Sequence, residues 1–149
     1  MIKFELTEHI GKSIKEVFEF ITDLSNVSDS LKEEGAIYRG TKQTSEGPIG
    51  LGTTYTDKST LGSMHGEIVE WEPLTRVKFI QKVKLIFFTL LEVRITYTLE
   101  ESGDKTTKVI RDYEMELYGI FRLMEKKSEV FVKKENERIL NVMKKRLEN

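Results

Sequence analysis

Ile2, Phe4 and Leu6 alternate with Lys3, Glu5 and Thr7, the period-two pattern of a half-buried strand. Ser13 followed by Glu16 makes a capping box, and Ile14, Val17, Phe18, Phe20 and Ile21 behind it predict a short helix ending near Asp23. A second short helix is predicted from about Ser25 to Lys32. From Gly35 a series of strands is predicted: Ala36 to Lys42, Thr53 to Thr60, Met64 to Trp71, Val77 to Val83, Leu91 to Glu100 and Thr106 to Leu117. The connections Ser45-Glu46-Gly47-Pro48, Leu61-Gly62, Glu72-Pro73-Leu74 and Ser102-Gly103-Asp104 are short, so sequential strands pair antiparallel.

Eight of the ten glycines and both prolines lie between Gly35 and Gly103, and none follows Gly119. The closing stretch carries Phe121, Met124, Phe131, Ile139, Val142, Met143 and Leu147 at three-and-four spacing, with Lys, Glu, Arg and Asn opposite. A helix over this stretch is about 40 Å long at 1.5 Å per residue, enough to lie across a curved sheet and lid a cavity. Strand, two helices, six strands and a long helix predict an α+β fold: a seven-stranded antiparallel sheet wrapped around the C-terminal helix. Val93, Ile95, Tyr97 and Leu99 face one way, and Val109, Arg111, Tyr113, Met115 and Leu117 share one side of the last strand.

With 149 residues and 38 % hydrophobic content, one domain over residues 1–149 is expected. Lysine plus arginine number 24 against 25 acidic residues, and a net charge of -1 supplies no field for nucleic acid. The absence of cysteine excludes disulfides, thiolate metal sites and a cysteine nucleophile, and two histidines make no zinc site. No cofactor or metal is expected. The N-terminus alternates charge with apolar residues, unlike a signal peptide or membrane span, so a cytoplasmic location without integral membrane association is expected.

Ser13-Ile14-Lys15-Glu16-Val17-Phe18-Glu19-Phe20-Ile21-Thr22-Asp23 is similar to the first helix of the polyketide cyclase/dehydrase group. The turn Gly50-Leu51-Gly52-Thr53 and the strand end Gly66-Glu67-Ile68-Val69-Glu70-Trp71-Glu72-Pro73 match the same pattern in the same order. The chain therefore resembles the START-like, helix-grip (SRPBCC) superfamily over essentially its whole length, closest to the polyketide cyclase/dehydrase and lipid-transport group. It departs after Asp23, where relatives often carry a proline and then a tryptophan and this chain has Leu24, Ser28 and Ser30. The resemblance implies a helix-grip fold with a hydrophobic cavity between sheet and long helix, used to bind or carry apolar small molecules and only sometimes for catalysis.

Arg111 is the sharpest anomaly, because its alternation partners point inward and a charge facing a low-dielectric interior needs a partner. Asp57 is one possible counter-ion, an anionic ligand head group another, and a bulge that turns the arginine to solvent a third. Tyr55, Gln81, Tyr97 and Tyr113 stand on inward strand faces, either orienting a ligand or bonding to core carbonyls. Phe121, Met124, Ser128 and Phe131 on the helix complete the expected ligand-binding set, Ser128 and Glu135 being polar interruptions of the apolar stripe. His65 is the candidate general acid/base, on a strand whose alternation does not decide its face; His9 is the other histidine.

Lys84-Leu85-Ile86-Phe87-Phe88-Thr89-Leu90-Leu91 is too short to span a bilayer; it is either a tight turn under the helix, a pocket rim, a dimer contact or a membrane-touching loop. The segment Gly47 to Gly52 lacks the Lys-Ser/Thr of a phosphate loop and joins two strands; the resemblance implies a loop gating the cavity. The leading expectation is a non-enzymatic binder or carrier of a lipid, isoprenoid or polyketide-like molecule, as monomer or homodimer. A cyclase or dehydrase and a partner-binding regulator are the alternatives.

Overall fold

The computed structural model describes residues 1–32, 36, 38–60 and 62–149. Gly35 and Ile37, in the expected start of the second strand, and Leu61, in the expected turn, lie outside the described residues. Strand β1 (Ile2–Ile10) leads into helices α1 (Ile14–Thr22) and α2 (Leu24–Leu31). Strands β2 (Tyr38–Gln43), β3 (Thr54–Ser59), β4 (Gly62–Glu72), β5 (Arg76–Leu85), β6 (Phe88–Glu101) and β7 (Thr107–Leu117) follow. A 3₁₀ turn (Gly119–Met124) then delivers the chain into helix α3 (Glu125–Glu148).

Local chemistry explains the first helices. The Ser13 hydroxyl accepts from the Glu16 amide at 3.3 Å, and the Glu16 carboxylate accepts from the Ser13 amide at 3.1 Å. Asp23 ends α1 and caps α2, its carboxylate accepting from the Asn26 amide at 3.0 Å. Ser13→Ala removes the hydroxyl half of the first cap, keeping the backbone amide that donates to Glu16, and is expected to cost about 1 kcal/mol in urea denaturation.

All strands pair antiparallel in one seven-stranded sheet of order β1-β7-β6-β5-β4-β3-β2, so only β7 and β1 depart from sequential neighbours. The concave face buries Tyr55, Ile68, Val77, Phe79, Val93, Ile95, Tyr97, Leu99, Val109 and Tyr113. The outer face is charged: Arg94 bridges Glu92, Glu114 and Glu116, and Lys3 reaches Glu114. Such exposed pairs contribute little each and mark a solvated surface.

Helix α3 runs alongside β1 in the same direction. The N-terminal ammonium meets Glu125 at one end, Lys144 meets Glu8 at 3.3 Å further along, and Glu148 accepts from the Gly11 amide at 2.8 Å at the other. Its buried stripe is Val132, Asn136, Leu140 and Met143, with Ile139 and Leu147 half-buried. The expected stripe is thus corrected in its first half, where Phe121, Met124 and Phe131 are exposed. For Phe121 and Met124 the cause is local: the 3₁₀ turn has about three residues per turn, so its side chains leave the phase that the α-helix adopts from Glu125 onward. Phe131 lies on α3 itself, one position off the buried stripe that starts at Val132.

Candidate functional site

The β6–β7 register sets Tyr97 opposite Arg111, and α3 lays Asn136 over the pair. Arg111 donates from Nε and Nη2 to Asn136 Oδ1 at 2.9 and 2.6 Å, and from Nη1 to the Tyr97 hydroxyl. Asn136 is held in turn by its amide, which donates to the Val132 carbonyl at 2.8 Å. The guanidinium carbon lies 4.9 Å from the Tyr97 ring centroid. Arg111 is only 4 % exposed. Its hydrogen-bond partners among the described residues are neutral, and three of its five N–H groups are engaged.

Asp57, one of the possible counter-ions, makes no ion pair with Arg111 among the described residues. Its two oxygens are taken: one accepts from the Thr41 hydroxyl, the other from Gln81 Nε2 at 2.5 Å. Gln81 also donates to the Tyr55 hydroxyl at 2.9 Å, and the Tyr38 hydroxyl sits 2.6 Å from Thr41 Oγ1. Because Thr41 gives its one proton to the carboxylate contact, Tyr38 is the donor to Thr41. Phe79 packs edge-on against both Tyr55 and Tyr97, at 5.9 and 6.3 Å between centroids, and so joins the two polar groups through an apolar ring.

Burial pushes the Asp57 carboxyl up to about 6, against the hydrogen bonds from Thr41 and Gln81 and the more distant charge of Arg111. Its folded value lies above the ordinary carboxylate range near 4, so the charged form costs stability above about pH 6 and the cost vanishes below about pH 4. Stability is expected to rise as pH falls through that window, by about 1–2 kcal/mol from this group after allowing for its partial exposure. Denaturation midpoints of wild type and Asp57→Asn across pH 4–8 check this; the variant should lose the rise. Burial likewise raises Tyr38 to about 12 and lifts Tyr55, Tyr97 and Tyr113 above the usual phenol range. These hydroxyls are therefore protonated at neutral pH and serve as hydrogen-bonding groups.

The predicted residues thus fall into three sets. Tyr55, Gln81, Tyr97, Arg111 and Tyr113 come together on the concave face, Tyr113 stacked on Phe4 with centroids 5.0 Å apart. Phe121, Met124, Ser128 and Phe131 stand at one end, where Ser128 donates to the Met124 carbonyl at 2.8 Å. His65 is exposed on the outer face, 3.4 Å from Thr56 Oγ1, and His9 is exposed on β1. Sequence reasoning missed Asn136 and Thr41; Asn136 is four residues from both Val132 and Leu140, which is the signal that places it on the buried helix face.

Toward the end that carries the β5–β6 hairpin, the concave positions open. Val93 and Ile95 are buried but Leu91 is half-exposed; Met115 is buried but Leu117 half-exposed; Gln81 is buried but Val83 half-exposed. Met64 on β4 is half-exposed as well. These half-exposed residues give the concave face an apolar trough at its rim, about 20 Å along β7 from Arg111 at 3.3 Å per residue. The Gly47–Gly52 segment lies at the opposite end, its Gly52 amide bonded to the Ile68 carbonyl at 2.9 Å. Ile49 there borders a separate cleft of about 330 Å³ between α2 and β2, lined also by Ser28, Asp29 and Thr41. Among the described residues no helix is long and apolar enough to cross a membrane, and no group of three or more acidic or histidine side chains is arranged to hold a metal.

Residues 1–148 match the polyketide cyclase / dehydrase and lipid transport family, and the chain belongs to it. The structure resembles a conserved protein of Geobacillus kaustophilus, with 12 % identity, TM-score 0.76 and coverage of 97 % of this chain and 94 % of that one. It also resembles a protein of Thermus thermophilus, with 17 % identity, TM-score 0.73 and coverage of 97 % and 96 %. Ara h 8.0201 superposes with TM-score 0.72 at 16 % identity over 97 % of this chain and 96 % of its own. Identities this low define the fold, the helix-grip of the START-like (SRPBCC) superfamily. No match is found among the curated proteins.

Proposed function

We propose that this chain binds and carries an apolar small molecule with an acidic head group, a lipid, isoprenoid or polyketide-like acid, with its tail in the concave trough and its head at Arg111. The observation that carries the reading is a buried guanidinium whose hydrogen-bond partners are neutral and which uses three of its five N–H groups on them. A buried cation left without an opposite charge is costly, and a carboxylate or phosphate there would gain a charge-assisted, two-point contact. The trough alone binds weakly: about 300 Å² of apolar ligand surface at roughly 25 cal/mol per Å² yields ~7 kcal/mol against association costs of about 4–15 kcal/mol. The polar anchor supplies the difference. Phe121, Met124, Ser128 and Phe131 serve as the entry rim.

One observation favours a second reading, a cyclase or dehydrase: Asp57 sits on the concave side with its carboxyl near 6, suited to proton transfer near neutrality. Native mass spectrometry of the purified protein, followed by extraction of whatever it holds, tests both. An acidic apolar adduct that is recovered unchanged supports the carrier; its conversion on incubation supports the enzyme; a neutral polar adduct overturns the head-group assignment.

A further inference from the structure

The end of the sheet where the trough opens exposes far more apolar surface than the fold requires. Phe87 is 94 % exposed, Leu123 85 % and Ile86 78 %, and Phe88, Ile120 and Val130 stand open beside them. Strand pairing places these residues together. Leu91 pairs with Leu117, the Tyr118 amide bonds to the Leu90 carbonyl at 3.0 Å, and the 3₁₀ turn and α3 continue from there. Contiguous exposed apolar surface of this kind marks a contact with something outside the chain.

The hairpin backbone points the same way. Leu85 pairs with Phe88, so Ile86 and Phe87 are the two central residues of a tight turn. Ile86 has φ 57°, a left-handed conformation that a β-branched residue adopts only at a cost and that glycine takes freely. Folding would favour glycine there. An isoleucine held in that conformation and left uncovered serves something other than the stability of the turn.

Charge identifies what that is. Lys84, Arg122, Lys126, Lys127, Lys133 and Lys134 flank the patch, and none makes an ion pair among the described residues. Of the acids beside the patch, Glu92 and Glu116 pair with Arg94 on the outer face, Glu135 pairs with Arg138 and Glu125 meets the N-terminal ammonium at 2.5 Å, leaving Glu129. In a chain of net charge -1 this is a local basic collar around an apolar tip. A symmetric dimer through this face would set the two collars against each other. We infer that the β5–β6 hairpin, the 3₁₀ turn and the start of α3 dock on an anionic lipid surface, apolar side chains inserted and the cations on the headgroups. Docking itself does not depend on the proposed ligand; that the trough mouth then faces the bilayer for ligand exchange rests on that reading.

The test is co-sedimentation of the full chain with phosphatidylcholine vesicles and with vesicles that also contain phosphatidylserine. Binding to the second kind is expected to be about tenfold tighter or more and to weaken with salt. Ile86→Gly/Phe87→Asn should melt at higher temperature, because the turn then suits its residues, yet lose about tenfold or more in vesicle affinity. Lys126→Gln/Lys127→Gln should lose the preference for phosphatidylserine. Absence of binding to either vesicle, or unchanged binding by the turn variant, overturns the inference. A concentration-dependent dimer abolished by that variant overturns it in favour of a second copy of the chain. Dodecanoate uptake measured without vesicles reads the ligand proposal separately, so intact uptake with no vesicle binding sinks docking alone.

Discussion

Asn136→Leu is expected to destabilise the protein by about 3–5 kcal/mol, the largest single effect available in the grip. Asn136 Oδ1 accepts two of the three hydrogen bonds that hold Arg111, and the variant leaves the guanidinium buried with only the Tyr97 hydroxyl. Arg111→Met removes the charge itself and should cost less, about 1–2 kcal/mol, because it orphans only neutral groups. The double variant Arg111→Met/Asn136→Leu should recover much of what Asn136→Leu loses, since an apolar pair of similar volume replaces a desolvated cation and its acceptor. Equilibrium urea unfolding of the four proteins measures the coupling. Additive losses would mean that Arg111 reaches solvent and is not held by Asn136.

Gly66→Ala should cost about 3 kcal/mol, although alanine suits a strand better than glycine. A Cβ built on Gly66 would lie 2.2 Å from Cζ of Tyr55, whose ring covers the bare backbone of β4. That ring is buried, packs against Phe79 and accepts from Gln81, so it has nowhere to go without breaking those contacts. The sign should reverse when the ring is removed: in a Tyr55→Ala background, Gly66→Ala should be neutral or stabilising. Thermal unfolding of the single and double variants decides it. A persistent loss in the second background would place the strain in the strand and not in the ring.

The strands were legible because both alternation and punctuation were present. On β7 the inward set Val109, Arg111, Tyr113 and Met115 is buried as its spacing predicts, and the capping box at Ser13 starts α1 where the motif places it. The long helix was legible in extent but not in phase. Asn136 interrupts the buried stripe with a polar residue, so Phe131 and Val142 looked like better members than Val132 and Leu140. A periodicity argument sees only hydrophobic positions, and here one buried position holds an acceptor for Arg111. The Arg111 anomaly was readable from alternation alone, while its partner was not, because Asn136 lies 25 residues away and two opposed faces must be docked before they meet. For the same reason the partners Asp57 has, Thr41 on β2 and Gln81 on β5, were not readable before the sheet brought them together.

Calorimetric titration with dodecanoate and with dodecanol, on wild type and on Arg111→Met, reads the head-group anchor most directly. Wild type should bind the acid about tenfold tighter or more than the alcohol, and Arg111→Met should bind the two alike by losing affinity for the acid only. Equal affinities in wild type, or an equal loss of both ligands in the variant, would contradict a buried guanidinium that waits for an anion.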